Sequence, residues 1–408
     1  MGSGVERPDV ERASVVVPLT VLVLCGLLVL MQLYVAIPLA PVVGRALGGP
    51  PAAATLGTAY SIAYALGFLV FPPLSDRFGR KVVLVPGVAG LAVATALVAT
   101  ASSLPALGAL RAVQGLVAAS FASIALAYIG EAFPPHWRSA GVGAVTTAFL
   151  VAGIAGQVYA GAVALGLGWR WVFGLAAPAL ALTAAALAVV LVEPVRPDRP
   201  VSVAAEYRAL GALAVRRELA LPYVAAGTTL LSFVTMYAAL GPLLRTRYGL
   251  SDAEVLLVRL AGLPGMALAP LAGWLVGRLG AVRVAVAGFL VAAAGLAVEA
   301  LLAGALWALV AASAVYVAGI ATVVPALIAV VAGRAGPNRG GALGLGGLML
   351  FAGASLGPLV AGLLPFPALM LVLAGLLAVG ASLVAVSAPR GHVGDPPGPS
   401  QRPAPRTG

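Results

Sequence analysis

Twelve apolar runs, each of 20 residues or more, follow one another along the chain: 15–43, 54–74, 82–101, 105–130, 140–167, 171–193, 220–244, 254–277, 284–303, 305–332, 341–363 and 366–388. A helix that crosses the hydrocarbon core of a bilayer needs about 20 such residues. The pattern therefore predicts an all-α polytopic membrane protein of twelve transmembrane helices. Only 9% of the 408 residues are charged and 62% are hydrophobic, against roughly 25% charged in an ordinary soluble domain. A water-soluble fold would have to keep its exterior polar, and this composition cannot supply that. The 51 glycines and 31 prolines fall largely inside the apolar runs. There, neighbouring helices can satisfy freed backbone groups, and small residues let helices approach closely.

The basic residues set the expected orientation. With the N-terminus inside, 18 of the 24 lysines and arginines lie on inner segments, and Arg45, Arg170, Arg245 and Arg247 lie outside. Arg111 and Arg259 fall within spans. This bias fits the positive-inside rule with both termini cytoplasmic, in a cell (plasma) membrane, and an even number of spans is required to keep it. The expected organisation is a cytoplasmic tail (1–14), a six-helix bundle (15–193), a central cytoplasmic connection (194–219), a second six-helix bundle (220–388) and a polar, Pro/Gly-rich disordered tail (389–408). Membrane lipid is the expected surrounding partner. The net charge of +11 is spread as topology marks, with no basic patch that would fit nucleic acid. The lone cysteine, Cys25, permits no internal disulfide, and His136 and His392 are too isolated for a zinc cluster.

Shifting the sequence by 201 residues superimposes its halves. Asp76-Arg77-Phe78-Gly79 falls on Gly277-Arg278-Leu279-Gly280, Arg138 on Arg339, Gly156-Gln157 on Gly357-Pro358, and Ala160-Gly161 on Ala361-Gly362. A six-helix repeat related by an axis along the membrane normal is one arrangement from which transporters are built, with the ligand held near the midplane between halves.

The run Ser75-Asp76-Arg77-Phe78-Gly79-Arg80-Lys81 joins the second and third spans. It is either a tight turn at Gly79 decorated with positive-inside charges or a gate, in which Asp76 pairs with arginines across the interface between halves. Here the chain resembles the major facilitator superfamily, whose signature in this loop is Gly-x-Leu-x-Asp-Arg-x-Gly-Arg-Lys/Arg. Leu74, Asp76, Arg77, Gly79, Arg80 and Lys81 match it, and Pro72 stands where the leading glycine would be. The second copy, which includes Arg278 and Gly280, keeps that glycine at Gly273 and lacks the acid.

Arg111-Ala112-Val113-Gln114-Gly115 lies in the fourth span. An embedded arginine faces a cavity or a partner, or it snorkels to the outer headgroups. The resemblance associates Arg-x-x-Gln-Gly here with proton coupling in drug:proton antiporters and makes Arg111, Gln114 and Gly115 coupling or substrate candidates. Arg111 itself carries no proton, because a guanidinium stays charged. Gly156, Gln157 and Gly161 in the fifth span, with Gly357, Pro358 and Gly362 in the eleventh, form faces of small residues suited to helix packing. Antiporters often carry Gly-Pro where Gly156-Gln157 stands. Glu131 and Arg138 flank the connection between the fourth and fifth spans and are expected to pair or to cap helix ends. Arg259 is expected to partner Glu254 or reach headgroups, and Glu299 to snorkel outward.

The resemblance covers essentially the whole chain and implies two bundles rocking about a central site lined by spans one, four, seven and ten. That brings in Gln32, Tyr34, Tyr128, Thr235, Tyr237 and Tyr316 beside Arg111 and Gln114, with Arg259 as a further cavity candidate. The implied function is secondary transport of a small molecule by alternating access, with proton-coupled efflux of a drug-like or metabolite substrate. The alternatives are a facilitator or uptake carrier for a sugar or organic acid, or, in another class, a non-transport receptor or scaffold. No carboxylate lies mid-span in the first half; two embedded arginines and no buried acid point toward neutral or anionic substrates, and no proton carrier stands out. No nucleophile–base pair or cofactor loop suggests an enzyme, and none of these readings requires a cofactor. The chain is expected to act as a monomer.

Overall fold

The computed structural model describes residues 8–49, 52, 54–194, 203–266 and 268–388. The expected tail at 389–408 and the first seven residues lie outside these. Twelve helices are long and apolar enough to span a membrane: α1 (Val15–Tyr34), α2 (Ala54–Phe78), α3 (Arg80–Ala99), α4 (Leu104–Ala132), α5 (Pro135–Gly166), α6 (Trp169–Val190), α7 (Arg217–Tyr248), α8 (Asp252–Leu279), α9 (Ala281–Leu301), α10 (Leu306–Arg334), α11 (Arg339–Val360) and α12 (Phe366–Val386). No strand occurs among the described residues. Two expected tail or loop segments are partly helical. The first helix already begins at Pro8, and the central connection carries a helix over Val203–Val215. A further short helix, Ala36–Leu47, links α1 to α2.

Local chemistry fixes several boundaries. Ser103 accepts a hydrogen bond from the Ala106 N–H at 3.4 Å, and Pro105 sits in the first turn of α4, where its missing N–H costs nothing. The repeat is visible in the backbone. α2 and α3 are separated by Gly79 (φ 109°), and α8 and α9 by Gly280 (φ 85°), each a conformation that side chains with a Cβ rarely adopt. α8 is not continuous: it runs as Asp252–Leu260, Leu263–Met266 and Ala269–Leu279. Pro264 accounts for the interruption after Leu260, since its ring opposes the carbonyl of residue 260 and it offers no N–H.

Within each half, helices close on one another at glycines. A Cβ on Gly156 of α5 would fall 2.9 Å from the Met31 carbonyl oxygen of α1, and one on Gly357 of α11 would fall 2.7 Å from Val234 of α7, the same relation in the other repeat. Gly115 of α4 lies against the Tyr60 backbone of α2, and between the halves Gly161 of α5 lies against Leu256 of α8. Gly362 departs from its expected packing role: it lies past the end of α11, and nothing stands within 4 Å of its Cβ direction.

The halves meet along α2–α11 and α5–α8. Midway along α2, on the arginine-rich side of Thr58, Tyr64 and Phe68 pack on Phe351 of α11, with ring centroids 4.4 and 5.4 Å apart. Nearer the opposite end, the Thr58 hydroxyl donates to the Ser355 carbonyl at 2.7 Å. The Val203–Val215 helix lies across the same interface, where Tyr207 donates to the Leu69 carbonyl at 3.1 Å and Leu210 faces Gly341.

Candidate functional site

A cavity of about 400 Å³ opens between the two halves at the end opposite the Asp76 loop. Its wall draws on α1 and the Ala36–Leu47 helix, the start of α2, the end of α5, the ends of α7 and α11, and the start of α8. Most of the lining is apolar, with Leu33, Ile37, Leu165, Val234 and Leu256 among it, and Tyr34 lies on it. Tyr34 meets Phe233 edge-on at 5.7 Å, and Phe233 meets Tyr237 at 5.0 Å, so an aromatic layer from both halves underlies the space. The charged residues on the wall are Arg45, Arg245, Arg259 and Asp252.

Of the cavity candidates named from sequence, Tyr34 and Arg259 line this space. Arg259 is 4% exposed, and its Nε and Nη1 have no hydrogen-bond partner. The expected Glu254 pairing does not form. Glu254 turns back to cap its own helix, accepting from the Ser251 N–H at 2.8 Å and the Ser251 hydroxyl at 2.7 Å. Tyr237 is buried behind the wall, its hydroxyl crowding Gly262. Thr235 donates to the Gly357 carbonyl at 3.3 Å, in the α7–α11 seam. Tyr316 shares a 2.9 Å hydrogen bond with Ser232, joining α10 to α7. Tyr128 sits at the far end of α4, its hydroxyl donating to the Val192 carbonyl at 3.0 Å and accepting from the Val192 N–H at 3.1 Å. The expectation that these four side chains, three tyrosines and a threonine, line the cavity is corrected: each is taken up by a contact inside its own half.

Arg111 does not reach the outer headgroups, nor does it line the cavity. It is fully buried, with Nε donating to the Leu56 carbonyl at 2.9 Å, Nη1 to Gln114 Oε1 at 2.6 Å and Nη2 to the Gln32 carbonyl at 2.9 Å. Its guanidinium lies 4.2 Å from the Tyr60 ring centroid, a cation–π contact. Gln114 extends the network to Thr95 at 2.8 Å and to Gln32 Oε1 at 3.3 Å. Arg111 and Gln114 thus tie α1, α2, α3 and α4 together, while Gly115 gives the α2 backbone room to approach.

At the arginine-rich end, Arg80 is the hub. It pairs with Asp76 one turn back on α2, and it grips Glu131 of α4 with Nε at 3.1 Å and Nη2 at 2.7 Å. Two sequence expectations change here. Asp76 pairs within its own half, because Gly79 folds α3 back so that Arg80 faces it. Glu131 takes Arg80 in place of Arg138, which donates instead to the Phe133 carbonyl at 2.8 Å. Glu193, past the end of α6, accepts from the Arg80 and Lys81 backbone N–H groups at 2.6 and 2.9 Å and so caps α3. The Lys81 ammonium donates to the Leu191 carbonyl at 2.7 Å. Arg77 lies over the Phe78 ring, and in the second copy Arg278 lies 4.0 Å from the Trp274 ring centroid. Gln157 bonds back to its own helix, donating to the Gly153 carbonyl at 2.7 Å, and Pro358 crosses to the other half, 2.9 Å from the Cβ direction of Gly57.

Glu299 on α9 does not snorkel. It is enclosed by protein, accepting from the Ser313 hydroxyl at 2.7 Å through Oε1, while Oε2 has no hydrogen-bond partner. The sequence singles Glu299 out as an ionisable residue inside a span, and the structure encloses it instead of letting it reach the headgroups. Glu193 gave no such signal, because its partners lie 112 and 113 residues away. Arg45, Arg245 and Asp252 read as ordinary loop charges until folding brings them to one opening.

The sequence model of the Major Facilitator Superfamily matches residues 22–268 and 255–408. The inner membrane transport protein YnfM of Escherichia coli (strain K12) is 29% identical over 62% of this chain and 62% of its own length. The tetracenomycin C resistance and export protein of Streptomyces glaucescens is 29% identical over 34% of this chain and 26% of its own. The chain thus spans less than two thirds of either relative. The crystal structure of the human organic anion transporter MFSD10 (TETRAN) shares the fold, with a TM-score of 0.72 over 92% of this chain and 99% of that one, at 20% identity.

Proposed function

The chain belongs to the major facilitator superfamily, and from that premise we propose that it is a secondary transporter that moves a small molecule by alternating access, as a monomer, in the direction of proton-coupled efflux. The observation that carries this reading is the cavity itself. It is bounded by both halves and lies at one end of the molecule, while Tyr64, Phe68 and Phe351 pack the halves together toward the other. Two bundles that meet around such a space can exchange which end is closed by rocking. A drug-like or metabolite cargo is supported by the apolar, aromatic-floored wall and by the likeness to an export protein for tetracenomycin C.

Glu299 supplies what the proton-coupled reading needs. Arg111 and Arg259 keep their charge, whereas a carboxyl group can bind and release a proton. Glu299 is enclosed with Ser313 and Tyr316 of α10 beside it, and Tyr237 of α7 is within electrostatic reach of both Glu299 and Arg259. α12, also packed on α9, contributes no ionisable side chain.

Flux measured in proteoliposomes of known orientation tests the reading. Export should follow an imposed pH gradient, and Glu299→Gln should abolish that response while leaving passive exchange of substrate. A response unchanged in Glu299→Gln refutes this carrier. Flux indifferent to the gradient in the wild type removes the coupling and leaves the facilitator alternative.

A further inference from the structure

The cavity holds three guanidiniums and one carboxylate, and its charges are not arranged alike. Arg245 pairs with Asp252 at 3.1 Å, both of them partly exposed. Arg259 lies deeper, is 4% exposed, and carries two unpartnered nitrogens. A buried, unpartnered cation is costly, and the neighbouring acids do not relieve this one: Asp252 is held by Arg245, and Glu254 caps its own helix.

Gly241 explains how space is kept beside it. A Cβ there would sit 3.2 Å from Arg259 Nη2, 3.6 Å from Arg245 Nη2 and 3.8 Å from Arg245 Nη1. The absent side chain leaves a niche on which two guanidiniums converge, one from α7 and one from α8. Planar forks of N–H donors suit an oxyanion better than any other small group. Next to the niche the wall is apolar, with Val234, Val255 and Leu256, and Tyr34 lies on it.

We infer that the niche at Gly241, between Arg259 and Arg245, is the subsite for the carboxylate of a soluble organic anion whose apolar body rests on the Tyr34 side of the cavity. The assignment rests on the transport reading above for its purpose, but binding can be measured without flux. An anion at Gly241 meets Arg259 at Nη2, on the same guanidinium whose Nε and Nη1 lack partners, and competes with Asp252 for Arg245. Arg45, from the Ala36–Leu47 helix at the same opening, adds to the positive field that draws anions in.

The test uses the full chain in phosphatidylcholine nanodiscs, melted with 2-naphthoate, the neutral 2-naphthamide, or added phosphatidylglycerol. Naphthoate should raise the melting temperature in proportion to its occupancy, and naphthamide should not. Gly241→Ala, which fills the niche, and Arg259→Gln should each weaken naphthoate binding at least tenfold, about 1.4 kcal/mol. Without ligand, Arg259→Gln should melt no lower than the wild type, because it removes an unpaired buried charge; a structural arginine would give a clear drop. Equal stabilisation by naphthamide, naphthoate binding that survives both substitutions, or no naphthoate response would each overturn the assignment. So would a niche-dependent response to phosphatidylglycerol alone, which would make the ligand a lipid headgroup. Flux of a neutral compound with no naphthoate binding sinks this subsite alone, whereas naphthoate binding without flux of any compound sinks the transport reading alone.

Discussion

A charged side chain inside a span costs several kcal/mol unless its donors are met, and the two embedded arginines of this chain meet that demand differently. Arg111 is fully engaged without any acid, by two backbone carbonyls and one amide oxygen. One of those carbonyls, Leu56, lies in a short π-helical stretch, Ala54–Thr58. Arg111→Ala strips partners from three buried acceptors, at about 1–3 kcal/mol each. A loss of roughly 3 kcal/mol or more is expected in unfolding by heat or detergent. Arg111→Lys should recover only part of it, because an ammonium is a point charge that cannot serve three separated acceptors at once. Full recovery in the lysine variant would show that charge alone matters there. The sequence pointed to Arg111 and Gln114 because a cation among apolar residues stands out; Gln32 and Thr95 were hidden as partners, since contacts across helices leave no local pattern.

Helix boundaries were the most legible feature, since hydrophobic length and turn glycines act locally: Gly79 and Gly280 break the chain where the repeat placed them. The break in α8 was not foreseen, because Pro264 interrupts hydrogen bonding without lowering apolar content. The contacts at helix ends were also opaque, as the pairing of Glu131 shows: Arg138 is its near neighbour in sequence, and the fold selects Arg80 instead. Glu193 caps α3 from the end of α6, so Glu193→Ala should lower stability by about 1 kcal/mol, the usual worth of an N-terminal cap. Helix seams are less forgiving. Gly353 of α11 presses on the Gly227 carbonyl of α7, with no room for a Cβ. Gly353→Ala must push two helices apart and should lower the melting temperature more than Glu193→Ala does. The reverse order would mean that the α7–α11 seam yields easily.

Across the whole molecule, the distribution of arginines and the position of the cavity make one joint statement about sidedness. If the arginine-rich loops face the cytoplasm, the cavity opens to the outside, and the aromatic packing of Tyr64, Phe68 and Phe351 shuts the inner route. Thiol labelling reads this directly, because the lone native cysteine, Cys25, is fully buried and gives no background. Leu165→Cys, on the cavity wall, should react with a membrane-impermeant maleimide added to intact cells. Phe351→Cys, 6% exposed between the halves, should stay unlabelled from either side until the halves rock. Labelling at residue 351 in everted vesicles, gained as residue 165 becomes protected, is the signature expected of alternating access. Reaction of Leu165→Cys only in everted vesicles would invert the orientation, and reaction of both from one side at once would describe an open channel, in which the two halves never take turns closing the path.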